Sequence, residues 1–185
     1  MQTEYGQILL PIARSAIAEK FGQIIPANED DSWLQEHRAC FVTLTQRGQL
    51  RGCIGSLEAH RSLLLDVKAN AQAAAFHDPR FSPLTKAELD ATDVEVSLLS
   101  VMQDMTFHNE QDALAQLRPE IDGILFEYAH YRSTFLPQVW EQLPDPTEFM
   151  AHLKHKAGLP PNFWDEKVRL YRYTVSKWKE GVPTE

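Results

Sequence analysis

The sequence predicts an α+β fold with antiparallel sheets and flanking helices, and three observations lead there. Segments with a two-residue apolar period are mixed with segments of helical period, without the regular strand–helix–strand rhythm of a parallel sheet. A run rich in β-branched and apolar residues, 39–45, and a shorter candidate strand, 50–54, are separated by Gln46-Arg47-Gly48-Gln49, a hairpin signature. Apolar residues make up 43% and charged residues 24% of the 185, the balance of a folded globular domain. Residues 1–185 are read as a single domain with room for two lobes.

Each element has its own local cause. Residues 3–21 read as an amphipathic helix, because Tyr5, Ile8, Leu9, Ile12, Ala16 and Ile17 recur mostly at three- and four-residue steps and Gly22 is a natural stop. Pro11 lacks an amide hydrogen, so a kink or a late start is expected there. Ser62 caps a helix over 63–76, with Leu64, Val67, Ala71 and Ala74 on one face, and its alanine content predicts a closely packed neighbour. Pro79 and Pro83 then open a loop, and Thr85 with Glu88 forms the capping box of a short helix. Over 93–101, Val94, Val96 and Leu98 alternate against Glu95 and Ser97, which suits a half-buried strand. Asn109 or Asp112 starts a helix ending near Leu117. Residues 123–128 and 132–136 read as strands joined around His130, and Pro137 opens a short helix through Leu143. Thr147 caps a further helix that Gly158 closes, with Phe149, Met150, Leu153 and Ala157 inward. Residues 168–178 read as one long strand with Tyr171, Tyr173 and Val175 on one side.

Charge and composition narrow the function. A net charge of −8 offers no overall attraction to a phosphate backbone, so no nucleic acid partner is expected. No segment approaches the roughly 20 apolar residues of a membrane span, and residues 1–5 lack a basic, then apolar leader, so no membrane partner is expected either. Two cysteines, Cys40 and Cys53, are too few for a disulfide framework, which points to a reducing, cytoplasmic setting. The sequence names no cofactor.

The hairpin carries the leading candidate site. With a two-residue turn at Arg47-Gly48, Gln46 faces Gln49, Leu44 faces Arg51, Val42 faces Cys53 and Cys40 faces Gly55. One face then holds Phe41, Thr43, Thr45, Leu50 and Ile54; the other holds Cys40, Val42, Leu44, Arg51 and Cys53. Arg51 and Cys53 become neighbours, and a cation beside a thiol favours the reactive thiolate. Gly52 and Gly55 add bare backbone, as strands do where a bulge or a ligand comes close. The alternative is a buried thiol with Arg51 paired to an acid, for which Val42 and Leu44 on the same face speak. A Cys40–Cys53 disulfide is disfavoured by their diagonal placement.

Three other groups carry chemistry and a plainer alternative, and one aromatic group a plainer one alone. Arg80 in Asp78-Pro79-Arg80-Phe81 is a good anion ligand if the prolines hold it; alternatively it pairs with Asp78 or Glu88 in a rigid turn. His77 is either a base beside that loop or the cationic end of a helix. Glu148, His152 and His155 share one helical side, but Lys154 and Lys156 flank them, so the side is read as solvated and no metal site is assigned. Phe163, Trp164, Tyr171, Tyr173 and Trp178 are read as packing.

Leu50-Arg51-Gly52-Cys53-Ile54-Gly55 resembles the hallmark hexapeptide of the AMMECR family, which includes the AmmeMemoRadiSam system protein A group. Phe41-Val42-Thr43, Asp78-Pro79-Arg80-Phe81-Ser82-Pro83-Leu84 and Val94-Glu95-Val96-Ser97-Leu98-Leu99-Ser100 are similar to further family signatures. So are Asp122-Gly123-Ile124, Thr134-Phe135-Leu136-Pro137-Gln138-Val139-Trp140 and Lys156-Ala157-Gly158-Leu159. The resemblance implies an α+β fold with a larger and a smaller lobe and an uninterrupted first helix. It also implies a Memo-like protein and a radical SAM protein as partners. Two expectations follow. In the first the chain is an enzyme or enzyme subunit with a small-anion site at residues 50–55, where Cys53 and Arg51 are catalytic and Gly52, Gly55, Asp78 and Arg80 bind substrate. In the second it is a non-catalytic adaptor for those partners.

Overall fold

The first apolar stripe folds as one helix, α1 (Gln2–Glu19), which runs through Pro11 in the computed structural model, where residues 2–181 are described. The late start expected at Pro11 is therefore overturned. A helix-interior proline costs about 3 kcal/mol. Burying Leu9, Ile12 and Ile17, each fully covered, returns roughly 1.5–3 kcal/mol apiece. The helix closes as expected at Gly22, whose φ of 73° lets Gln23 N–H reach Ala18 O at 3.1 Å.

The hairpin forms from β1 (Cys40–Gln46) and β2 (Gln49–Gly55). Arg47 and Gly48 both take positive φ, 50° and 76°, as a two-residue turn between twisted strands requires. Then come α2 (Leu63–Phe76), with Ser62 as its cap, β3 (Asp93–Leu99), β4 (Gln103–Asp104) and α3 (Glu110–Gln116), capped by Asn109. The chain continues through β5 (Gly123–Tyr128), β6 (Tyr131–Phe135), α4 (Pro146–Lys156), β7 (Arg169–Tyr173) and β8 (Val175–Lys179). The Thr85–Glu88 capping box starts a 3-10 turn over Lys86–Ala91. The chain divides into two units, residues 1–99 with 176–185 and residues 100–175.

In the first unit the sheet order is β2-β1-β3-β8, so β2 is an edge strand. Cys40, Val42, Leu44, Val94 and Val96 point to one face and are fully buried in a core shared with α1 and α2. In the second unit the order is β4-β7-β5-β6, over a core of Phe126, Trp140, Phe149, Met150, Leu153 and Leu170.

Two local expectations fail there. The cap of α4 is Asp145, not Thr147: Pro146 fills the first turn and Thr147 N–H donates to Asp145 Oδ1 at 2.8 Å. The long strand expected over 168–178 is two strands in different sheets, parted at Thr174. Ser100 takes both backbone groups of Thr174: its Oγ accepts the N–H and its N–H donates to the C=O, each at 2.8 Å. No helix among the described residues is long and apolar enough to cross a membrane.

Candidate functional site

The site begins at a β-bulge. Thr45 faces Leu50 and Leu44 faces Gly52, so Arg51 is an extra residue with no opposite number on β1. Beyond it the pairs are Thr43 with Cys53, Val42 with Ile54 and Phe41 with Gly55. The expected pairs Leu44–Arg51, Val42–Cys53 and Cys40–Gly55 are thereby corrected by one residue, and a one-residue slip exchanges faces. Cys53 leaves the face of Cys40, Val42 and Leu44 and joins that of Phe41 and Thr43, while Ile54 packs on the core.

The cause is the distance to α2. A Cβ on Gly52 would lie 3.0 Å from the carbonyl carbon of Ala74 and closer still to its oxygen. Regular pairing would press the Arg51 side chain onto that backbone; the bulge presents glycine instead. The alanine-rich helix thus has its close neighbour, the backbone of β2.

Thr43 sits opposite Cys53 on one side and Glu95 of β3 on the other. Directly opposite residues share a face with Cβ atoms about 5 Å apart. A thiol, a hydroxyl and a carboxylate therefore stand in a row across three strands, each half-buried. Thr43 Oγ1 donates to Cys53 Sγ at 3.3 Å. The sequence marks Glu95 only as a polar strand position, not as a site residue. Its signal was the polar beat of residues 93–99, which needed the register to acquire a meaning.

The loop after α2 locks onto the same residue. Cys53 N–H donates to Asp78 Oδ2 at 3.0 Å, and Arg80 Nη2 donates to Cys53 O at 3.2 Å. Arg80 also grips Asp78, with Nε on Oδ1 at 3.0 Å and Nη2 on Oδ2 at 2.7 Å. The Arg80 guanidinium, then the Cys53 amide, hold the Asp78 carboxyl well below the usual carboxylate range. Asp78 is buried, whereas the Arg80 side chain is 54% exposed.

Arg51 turns to Glu88, with Nε on Oε1 and Nη2 on Oε2, each at 3.2 Å. Arg51, then the Thr85 amide, lowers the Glu88 carboxyl to about 2. The Arg51 and Arg80 guanidinium carbons lie 6.0 and 5.5 Å from the centre of the Phe81 ring. Arg51 Nη1 is buried without an acceptor among the described residues. Hexapeptide and loop, some 25 residues apart in sequence, thus meet at the backbone of Cys53, whose thiol is half-buried.

The AMMECR1 family model matches residues 10–178. The chain belongs to the AMMECR1 family. Similar proteins include MJ0810 of Methanocaldococcus jannaschii, 36% identical over 97% of this chain and 92% of that one. A Methanothermobacter thermautotrophicus protein is also 36% identical, over 97% of this chain and 96% of its own. The crystal structure of an uncharacterized Pyrococcus horikoshii protein, PH0010, shares the fold with a TM-score of 0.78. It is 34% identical and the match covers 97% of this chain and 93% of that one.

The remaining candidates take different places in this AMMECR1 domain. Gly55 lies under the Phe41 ring, which fills the space a Cβ would need. Cys40 lies on the core face, away from Cys53, and its thiol donates to the fully buried Asp66 at 3.2 Å. Burial, then Asp66, pushes that thiol well above its usual range. Asp66 also accepts from Cys40 N–H, Ser56, Arg61 and Asn70. His77 is exposed at the end of α2. His152 and His155 are exposed, but Lys154 is buried, with Nζ on Glu110 at 2.6 Å and on Phe163 O at 2.9 Å, so it does not belong to that solvated side. Among the described residues no three His, Cys, Asp or Glu side chains gather as metal ligands do.

Proposed function

We propose that this AMMECR1-family protein is an enzyme, or an enzyme subunit, acting on a small anionic molecule held over Thr43 between Cys53 and Glu95. The observation that carries the reading is the row of thiol, hydroxyl and carboxylate on one sheet face. Two strand spacings of about 4.8 Å separate its ends, room for a few heavy atoms. Cys53 supplies the sulfur nucleophile or ligand, and Glu95 a carboxylate for proton transfer on the opposite side. Arg80 takes the anionic group through Nη1, since Nε and Nη2 are occupied by Asp78 and Cys53 O. Arg51 is closed on Glu88 with its Nη1 buried, so the anionic group is left to Arg80. Asp78 fixes Arg80, and Gly52 and Gly55 give the strand its path under the ligand.

A thermal-shift screen of small carboxylates and phosphates tests this. A hit is expected that raises the melting temperature of the wild type and loses that effect in Cys53→Ala, Arg80→Ala and Glu95→Gln. A hit indifferent to all three variants, or no hit across both classes, sinks the reading.

A second reading has its own observation. Each guanidinium is closed on a carboxylate, and Leu50 and Leu57 are exposed apolar residues flanking the hexapeptide core. A neutral, apolar edge suits a protein partner, and a Memo-like or radical SAM protein is the partner this reading names. Purified, metal-loaded partners that leave the wild type unbound in co-sedimentation would eliminate it.

A further inference from the structure

The two edges of the first sheet are protected by different means. An edge strand offers unpaired N–H and C=O groups, and a second chain can pair with them. The β8 edge carries Lys177 and Lys179, the usual charged deterrent. The β2 edge reads Gln-Leu-Arg-Gly-Cys-Ile-Gly, and its one charge, Arg51, is 12% exposed and tied to Glu88. Leu50 on the same strand is 43% exposed. By composition β2 is the more adhesive edge.

At Cys53, however, the backbone is not open. Cys53 turns both its N–H and its C=O away from β1, and Asp78 and Arg80 take them at 3.0 and 3.2 Å. One acceptor and one donor, two residues apart in the loop, reproduce what a neighbouring strand would offer. The bulge at Arg51 interrupts the ladder one step earlier.

We propose that the Asp78–Arg80 pair is an edge guard: it occupies the Cys53 backbone and thereby prevents β2 from pairing, antiparallel and across a two-fold axis, with β2 of a second copy of this chain. Strand pairing is self-complementary in that arrangement, so removing the guard leads to a dimer. This inference is independent of any chemistry at Cys53.

The test is the mass of the intact chain by light scattering, from about 5 to about 200 μM, spanning typical weak self-association. Four proteins are compared: wild type, Arg80→Ala, Asp78→Ala/Arg80→Ala, and the double variant carrying Leu50→Lys. Far-UV circular dichroism monitors folding throughout. The wild type is expected to keep one mass, and the double variant to approach twice that mass with its native spectrum. Arg80→Ala, which frees only the carbonyl at a half-exposed side chain, is expected to associate at higher concentration. Leu50→Lys is expected to return the double variant to the wild-type mass, because a charge on the edge repels a second copy without rebuilding the guard. Folded single and double variants that keep the wild-type mass overturn the proposal. So does association that Leu50→Lys leaves unchanged, since that is aggregation through another surface. If the double variant unfolds, Arg80→Ala and its Leu50→Lys derivative decide by the same criteria.

Discussion

Replacing Gly52 by alanine asks the most of this structure. The new methyl group would sit 3.0 Å from the Ala74 carbonyl carbon and nearer to its oxygen, where ordinary contact is about 3.5–4 Å. Both partners are backbone, so no rotamer change relieves the overlap: α2 must retreat or β2 must lose its bulge. Overpacking a well-filled interior costs typically 1–3 kcal/mol, and rigid backbone on both sides places this case at about 3 kcal/mol or above. For a chain of this length that is a fall in melting temperature of roughly 6–12 °C. Urea unfolding followed by circular dichroism measures it, with an unchanged slope if the unfolded state is unaffected. Gly48→Ala is the comparison: its φ of 76° strains an alanine by about 1–2 kcal/mol, but nothing lies within 4 Å. A Gly52→Ala protein as stable as wild type to within about 0.5 kcal/mol would refute the close approach of β2 to α2.

Three further outcomes follow from the same geometry. Asp66→Ala leaves the Cys40 amide and Ser56 without their acceptor and Asn70 Nδ2 with only Cys40 and Ser56 of its partners in that network, and is expected to cost about 3 kcal/mol or more, read by urea unfolding. Glu88 has a lowered folded-state value of about 2 against 4.5 unfolded, so its stabilising contribution is complete above pH 4.5 and is lost as pH falls towards 2. Screened at a side chain one-third exposed, it is worth about 1–2 kcal/mol, and Arg51→Met should flatten the stability-versus-pH curve across that window. Thr43→Val removes the hydroxyl donor to Cys53 Sγ while keeping the shape; one net hydrogen bond of about 0.5–1 kcal/mol predicts alkylation by iodoacetamide roughly two- to fivefold slower.

What the sequence revealed of the fold was whatever depends on neighbours in the chain. The Arg47-Gly48 turn, the Ser62 and Asn109 caps, the Gly22 and Gly158 stops and the Thr85–Glu88 box are local chemistry and stand where they were read. What failed depends on contacts between distant segments. Thr174 splits the last strand because Ser100 claims its backbone. Pro11 stays helical because α1 buries its stripe. Of the site, the hexapeptide and the loop at residues 78–81 were both singled out, but not that they meet. Asp66 and Asn70 passed unnoticed, although they occupy the same stripe of α2 as Leu63, Val67, Ala71 and Ala74. Polar residues on a buried stripe are the sign of a core network, and that sign was legible.

The bulge at Arg51 decides what Cys53 can do. With unbroken pairing from Gln46 and Gln49, Cys53 would face Val42 and turn to the core beside Cys40, where burial and the Asp66 carboxylate raise a thiol out of its reactive range. One inserted residue moves it to the face of Thr43 and Glu95, half-buried, with its backbone held by the Asp78–Arg80 pair. The insertion holds because α2 is lined with alanine and Gly52 has no side chain, so helix and strand backbones meet directly. A residue that carries no chemistry thus sets the address of the one that does. Gly52→Ala should therefore disturb Cys53 alkylation as well as stability, whereas Gly48→Ala should reduce stability alone.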